Sequence, residues 1–527
     1  MVHVLTELAR QLLPSGLTRR DLLWIALPIS LGYGAELAQF TFGFDYYFNQ
    51  IYQATGWSPY VHDGRYVSHV LDLLAFGADV PWLTLVLALI VLAFASLLLV
   101  RVMTPAIPGS RAPELALVVP VIVLYPFLLD IFAFVSERFH IAFGLAAAAL
   151  AASLAFVGSG WARITAVVVS FGLLVASLMT YQSTFNLALV FFVFAAHRVT
   201  IERDSARAAI VTRLLPGFGL AALAVIAYMV IQRLMPVGVV RFDTFFILPH
   251  DADEIWRTVT VRARATLELL FEEQSVFPLA AKVAIVALLA IAVLGTLQWM
   301  RQRQLGLVSG LFCVALIPMA LVACYGITLP FYPPETFLFY RIATPLAFFT
   351  GGIAFLALAY ASGWLRKLAS AVSVLLIAVF VLNTGIAHQY LWAQNEQDRA
   401  TALQIASRIK EHPDYRADLP LVMVGELPQD VANPLARTFP FVRESGLWGY
   451  TAQPSVHALA WSKTRVLVAF LPFREPTTAE IETANQYAAG APCWPAPGSA
   501  TIVDGVIVVV FESAGLTGVA CQPAGSP

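Results

Sequence analysis

Residues 80–100 read VPWLTLVLALIVLAFASLLLV, a run of 21 residues with no charged side chain. As a helix rising 1.5 Å per residue it reaches across the roughly 30 Å hydrocarbon core of a bilayer, where every backbone N–H and C=O must be satisfied within the segment. That stretch predicts a membrane span and decides the class of the chain. Comparable runs lie at approximately 22–42, 114–134, 140–158, 162–180, 183–197, 213–233, 277–299, 304–325, 338–360 and 368–388, the one at 183–197 being short. Composition agrees, since hydrophobic residues make up 59% of the 527 and charged residues 12%, about half the ~25% of soluble domains. A formal net charge of −1 supplies no global field to attract nucleic acid, so charge acts here through its placement.

Placement sets the orientation. If the N-terminus is cytoplasmic, that side receives Arg10, Arg19, Arg20, Arg101, Arg111, Arg163, Arg198, Arg203, Arg207, Arg213, Arg301, Arg303, Arg366 and Lys367, as the positive-inside bias requires. The opposite short loops, near Glu137, Tyr181 and Tyr332, hold little basic charge beyond Arg138 and Arg341. Arg19 and Arg20 precede an apolar run that lacks a small-residue cleavage site, so the first span is expected to stay uncleaved. The expected fold is an α-helical polytopic membrane protein of about 11 transmembrane helices with a small C-terminal periplasmic α/β domain. Residues 1–20 form a cytoplasmic interfacial helix, 21–390 the transmembrane domain with outer loops 43–79 and 234–276, and 391–527 the periplasmic domain. The expected location is the bacterial inner membrane, with the bilayer as the first partner.

Within the second outer loop, charges at Arg257, Arg262, Arg264, Glu268, Glu272 and Glu273 alternate with Ile255, Val259, Leu267 and Leu270, a pattern for a helix lying in the outer interface. In the C-terminal region, 396–411 and Thr478–Ala489 read as helices, Leu421–Val424 and Arg465–Leu471 as strands, and Thr501–Glu512 as a hairpin around Asp504-Gly505. Cys313 and Cys324 lie in an apolar span, whereas Cys493 and Cys521 lie in the polar region and can pair if it sits in an oxidising compartment.

Chemistry-bearing residues gather on the outer side. FGFDYYFNQIYQATGWSPYVHDGRY, residues 42–66, sets Asp45, His62, Asp63 and Arg65 among Tyr46, Tyr47, Tyr52, Trp57, Tyr60 and Tyr66. Aromatic planes beside acidic and basic groups suit a sugar phosphate. A partly buried carboxylate such as Asp45 can be tuned to take a proton from a hydroxyl, or it can simply cap a juxtamembrane helix. Glu36, Asp130 and Arg341 lie toward the outer ends of their spans, where a charge needs a partner, a polar cavity or a short reach to water. Arg341 is placed to hold a lipid phosphate, or to pair with Glu335. Tyr181 and Gln182 form a very short outer turn, and an interfacial tyrosine is common for structural reasons alone.

Asp45-Tyr46-Tyr47, then Trp57, then Gly64-Arg65 after a first span resembles the bacterial type II O-antigen glucosyltransferase family, polytopic enzymes of the GT-C kind. Tyr181-Gln182 is similar to that family's second recurrent feature. The chain departs from the pattern at Phe44, where the family has a second acid, and at Tyr66, where it has a proline. The resemblance implies transfer of a hexose, glucose in this family, from a polyprenyl-phosphate carrier to a cell-surface glycan such as O-antigen on the periplasmic face. A companion flippase and donor synthase go with such a carrier. The residues here permit inversion in a single displacement, with Asp45 as general base and no nucleotide or soluble cofactor, the need for a divalent metal staying open. Arg65 and Arg341 then steady the departing phosphate, and Trp57, Tyr46, Asp130, Tyr181, Gln182 and His62 line the substrate. Trp448 and Tyr450 are stacking candidates beyond the membrane domain. Two other readings share the sequence features: a polytopic transporter or flippase, which usually carries polar groups at the midplane, and a glycan polymerase or ligase using the same carrier.

Overall fold

Each of the apolar runs carries helix in the computed structural model, which describes residues 18–39, 59–62, 64–74, 81–104, 115–133, 137–235, 251–271, 276–326, 343–425, 471, 473–474 and 476–511. The helices are α1 Arg19–Gln39, α2 Pro59–His62, α3 Tyr66–Leu74, α4 Pro81–Met103, α5 Leu115–Val123, α6 Phe127–Ala133, α7 Arg138–Leu154 and α8 Gly160–Thr180. They continue as α9 Asn186–Arg203, α10 Ala206–Leu234, α11 Ala252–Phe271, α12 Leu279–Gln302, α13 Leu307–Ala323, α14 Pro345–Tyr360 and α15 Gly363–Lys410. Among the described residues, six helices are long and apolar enough to cross a membrane, and α7, α13 and α14 are shorter apolar helices. The run expected to be short is extended by a 3₁₀ turn at Gln182–Phe185, so that Gln182–Arg203 reaches 22 residues.

Burial sorts these helices into an inner and an outer set. Of the apolar window of Gln182–Arg203, 94% is buried, against 28% for Gly160–Thr180. Helix α9 is therefore the centre of the first compact unit, and α8 turns Ile164 and Val168 outward. Exposed apolar faces of this kind, repeated by Leu279 and Val283 on α12 and Val374 and Leu382 on α15, match lipid rather than water as the surrounding medium. Ala146–Ala149, Ala151 and Ala152 on α7 are buried, and their small side chains let α4, α8 and α9 approach closely.

The run at 114–134 is two helices rather than one. Pro126 cannot donate a backbone N–H, and Tyr125 instead bonds back to the Ile122 carbonyl at 3.1 Å. Non-helical backbone at membrane depth is tolerated where protein covers it; here Tyr125 is buried in edge contact with Phe127, Phe277 and Phe380.

Helix α11 forms where the amphipathic pattern placed it, with apolar residues on the exposed side as an interfacial helix requires. Thr258, Arg262 and Thr266, spaced four apart, are buried, while Ile255, Trp256 and Leu267 are exposed. The threonine hydroxyls bond to carbonyls one turn back. In an apolar medium the polar stripe is the one that gains from facing protein. Of the expected interfacial helix at 1–20, residues 1–17 lie outside the described residues, as does most of the expected strand Arg465–Leu471.

The second compact unit runs from Ala387 onward in the described chain. Strands β1 Leu421–Val424, β2 Ala500–Val503 and β3 Val506–Val510 form a sheet of order β1-β3-β2, with β1 parallel and β2 antiparallel to β3. The hairpin turns at Asp504 and Gly505, both at positive φ, as an Asp-Gly pair permits. Alternation along β3 divides the core: Ile507 and Val509 pack with Ala402, Ile405 and Ile409 of α15, and Val506, Val508 and Val510 with Ala484 and Ala488 of helix α16, Thr478–Ala488. The sequence placed a break near Tyr390, yet α15 runs through it, because no proline or glycine interrupts residues 386–411. Cys493 is disulfide-bonded, and Cys313 and Cys324 are free and buried; Cys521 lies outside the described residues.

Helix α16 opens on a capping box in which Glu480 accepts from the Thr477 N–H at 2.7 Å. Hydrogen bonding from Arg474 is the main cause that holds the Glu480 carboxyl down to about 2 from 4.5. A depressed carboxyl contributes stability above its ordinary value and loses it as pH falls through the folded one. Amide exchange in the first turn of α16, corrected for intrinsic rate, is therefore expected to accelerate between about pH 4.5 and 2. In Arg474→Gln the onset moves to higher pH; an unchanged onset would remove Arg474 from the cap.

Candidate active site

A tight turn built on Gly64 joins α2 to α3. Gly64 N–H bonds to the Val61 carbonyl at 3.1 Å and Arg65 N–H to the Tyr60 carbonyl at 2.7 Å, the double closure of a helix end on a left-handed glycine. Its φ is +72°, and a Cβ there would sit 2.3 Å from Gln232 Nε2. That amide nitrogen donates to the Gly64 carbonyl at 2.8 Å, so glycine is needed both for the angle and for the approach.

This turn aims Arg65. Its guanidinium donates to Glu137 Oε1 at 2.8 Å and lies over the Tyr181 ring, 4.4 Å from the centroid. The two charged side chains are 17% and 12% exposed, shielded enough for the pair to hold one geometry. Gln182 Nε2 donates to Tyr228 Oη at 2.9 Å, and Tyr66 Oη lies 3.4 Å from Gln232 Oε1. Ser68 on α3 bonds to the Thr180 carbonyl at 2.9 Å, tying α3 to the end of α8.

A second ion pair lies one residue along. Arg138 donates to Glu36 Oε1 at 2.9 Å and to Thr84 Oγ1 at 3.0 Å, with both charged side chains fully buried. Beside it the Tyr60 ring meets His140 edge to face at 5.3 Å. The contributors gather where α1, α8 and α10 end and where α4, α7 and the 3₁₀ turn before α9 begin, together with α2, α3 and the turn between them. The cluster is therefore a polar site at one end of an apolar bundle.

Of the residues singled out from sequence, Arg65, Tyr181 and Gln182 are brought together. His62 closes α2 and Asp130 lies within α6. Asp45, Tyr46, Trp57 and Arg341 lie outside the described residues, as do Glu335, Trp448 and Tyr450. Sequence reading passed over Glu137, Arg138, Tyr228 and Gln232. Two signals pointed to the first pair: Glu36 at membrane depth required a partner, and Arg138 stood on the side poor in basic residues.

Gly64→Ala tests how the site is positioned. The methyl group displaces the Gln232 amide and forces an unfavourable φ, which moves Arg65 off Glu137. A misplacement of about 1 Å costs up to ~10²-fold, so kcat/KM is expected to fall roughly ten- to hundredfold in protein that still inserts. Unchanged kinetics would show that the turn does not aim Arg65.

Lipid-facing helices around a charged, aromatic cluster at one bundle end define a polytopic membrane protein with a polar site at a membrane face. The chain belongs to the glucosyl transferase GtrII family: that family's model matches residues 36–350, more than half of the chain, and takes in every residue of the cluster. It is thus a membrane glycosyltransferase. A solved structure, ArnT from Cupriavidus metallidurans bound to undecaprenyl phosphate, is similar over 86% of this chain and 89% of its own, at 11% identity and a TM-score of 0.39. No curated protein matches the chain.

Proposed function

We propose that this enzyme moves glucose from a polyprenyl-phosphate carrier to a cell-surface glycan such as O-antigen, at the periplasmic face of the bacterial inner membrane and with inversion. The observation that carries the reading is the joining of Gly64-Arg65 to Tyr181-Gln182, two motifs more than a hundred residues apart, at one end of the bundle. Family membership supports the glucosyl group. The disulfide at Cys493 supports an oxidising compartment for the second unit, and with it a cytoplasmic N-terminus across about 11 spans.

In this mechanism the acceptor hydroxyl loses its proton to Asp45 as its oxygen attacks the anomeric carbon, and the bond to the lipid phosphate breaks with its electron pair on the phosphate. Arg65, pre-oriented by Glu137 and the Tyr181 ring, meets the charge that develops there. Fixed donors of this kind stabilise the transition state more than the ground state because they need no reorganisation. Arg341 adds a second guanidinium; Tyr46, Trp57, His62, Asp130, Tyr181 and Gln182 shape the sugar and carrier pocket.

Purified enzyme given polyprenyl-phosphate glucose is expected to release polyprenyl phosphate when glycan acceptor is present, with the anomeric configuration inverted in the product. Movement of the intact carrier lipid without cleavage, or retained configuration, would overturn the proposal.

A further inference from the structure

The opposite end of the bundle holds a second charged feature. Arg101 on α4, Arg198 on α9 and Arg213 near the start of α10 line one cavity of about 190 Å³ with Val102, Ser153 and Phe156. All three arginines are half-buried. Arg198 uses Nε on Glu202 at 2.8 Å, and Arg213 lies over the Phe156 ring, 4.5 Å from the centroid. Among the described residues that line or touch the hollow, three guanidinium charges stand against the Glu202 carboxylate, so positive charge predominates. Like charges held close in a partly dry space repel, and an anion between them relieves that repulsion. At roughly 30 Å³ for a water, the volume admits a phosphate group together with its remaining hydration.

The cavity is not the site described above. Helix α8 starts three residues after Val157 and ends at Tyr181, and its 21 residues rise about 30 Å. Helix α7 likewise runs from Arg138 to Ser153, and α10 from Arg213 to Gln232. Three helices therefore separate the two features by about the thickness of a bilayer core. At the same end of the bundle α8 opens with Trp161, 84% exposed, and Ile164, 54% exposed, apolar surface for acyl chains.

We propose that this cavity binds a phosphate group at the membrane face opposite the Arg65 cluster, supplied by the head group of an anionic lipid. Basic pockets between transmembrane helices hold such head groups through charge-assisted bonds, with neighbouring apolar surface taking the chains.

The test uses the full chain in neutral detergent, with phosphatidylglycerol, phosphatidylcholine or inorganic phosphate added and lipid retention read by native mass spectrometry. Phosphatidylglycerol is expected to bind about tenfold tighter than phosphatidylcholine. Arg101→Gln with Arg213→Gln should abolish the preference, while the charge-matched surface pair Arg207→Gln with Arg301→Gln should keep it. Equal binding of the two lipids, or equal loss in both double variants, overturns the proposal. Competition by inorganic phosphate shows that the phosphate group alone suffices; its failure to compete while phosphatidylglycerol binds assigns the site to lipid. Should the cavity variant not fold, protection of Arg101 and Arg213 but not Arg207 from phenylglyoxal by phosphatidylglycerol reads the same site in the native protein, and absence of that protection counts against it.

Discussion

Arg138→Met is expected to destabilise the folded chain by about 3–5 kcal/mol, the range for removing one partner of a buried ion pair. The Glu36 carboxylate is fully buried and faces the Arg138 guanidinium at 2.9 Å; without that guanidinium it keeps its desolvation cost and loses its counter-charge. The loss extends to Thr84, whose hydroxyl accepts from Arg138 Nε, so the ends of α1, α4 and α7 loosen together. Since Glu137 is the neighbouring residue, Arg65 loses its anchor as well and activity falls with stability. The double variant Glu36→Gln with Arg138→Met should recover much of the lost stability, because neither charge is then stranded. Melting of detergent-solubilised protein measures both, and a single variant that melts with the wild type would show that this pair does not hold the three helices.

Asp45→Asn is expected to lower kcat by about 10²–10⁴, the usual contribution of a general base, while the protein inserts and accumulates as before. The amide keeps the shape and the accepting oxygen of the carboxylate but cannot take the acceptor proton. A structural role would predict a different signature, so the pH profile decides. With Asp45 as the proposed base, the wild type is expected to lose activity as pH falls and that base becomes protonated, whereas the residual activity of the variant should lack that limb. Retention of the limb, or of full turnover, removes Asp45 from the proton transfer.

Much of this architecture was legible in the chain. Apolar runs located the helices because insertion depends on the summed hydrophobicity of some twenty consecutive residues, a local quantity. The hairpin at Asp504-Gly505 and the cap of α16 were legible because turn and cap chemistry acts within a few residues. Helix α11 shows where such reading stops: periodicity identified an amphipathic interfacial helix from Ile255 to Leu270 but could not say that Thr258, Arg262 and Thr266 would be the residues facing protein. The break at Pro126 was missed because hydropathy counts apolar side chains and does not weigh the missing N–H of one proline.

Sequence by itself determined a helical membrane protein, a polar stretch after its first span and the residue types able to handle a sugar phosphate. Only the tertiary structure decided the partners. Glu36 at membrane depth required a cation, and Arg65, Arg138 and Arg341 all stood on the same side of the chain's topology. The end of α1 meeting the start of α7 gave it Arg138, and the Gly64 turn sent Arg65 to Glu137 and Tyr181. A medium of low dielectric makes pairing compulsory for every buried charge, but which charges meet depends on how helices distant in sequence lie side by side, and no local pattern encodes that.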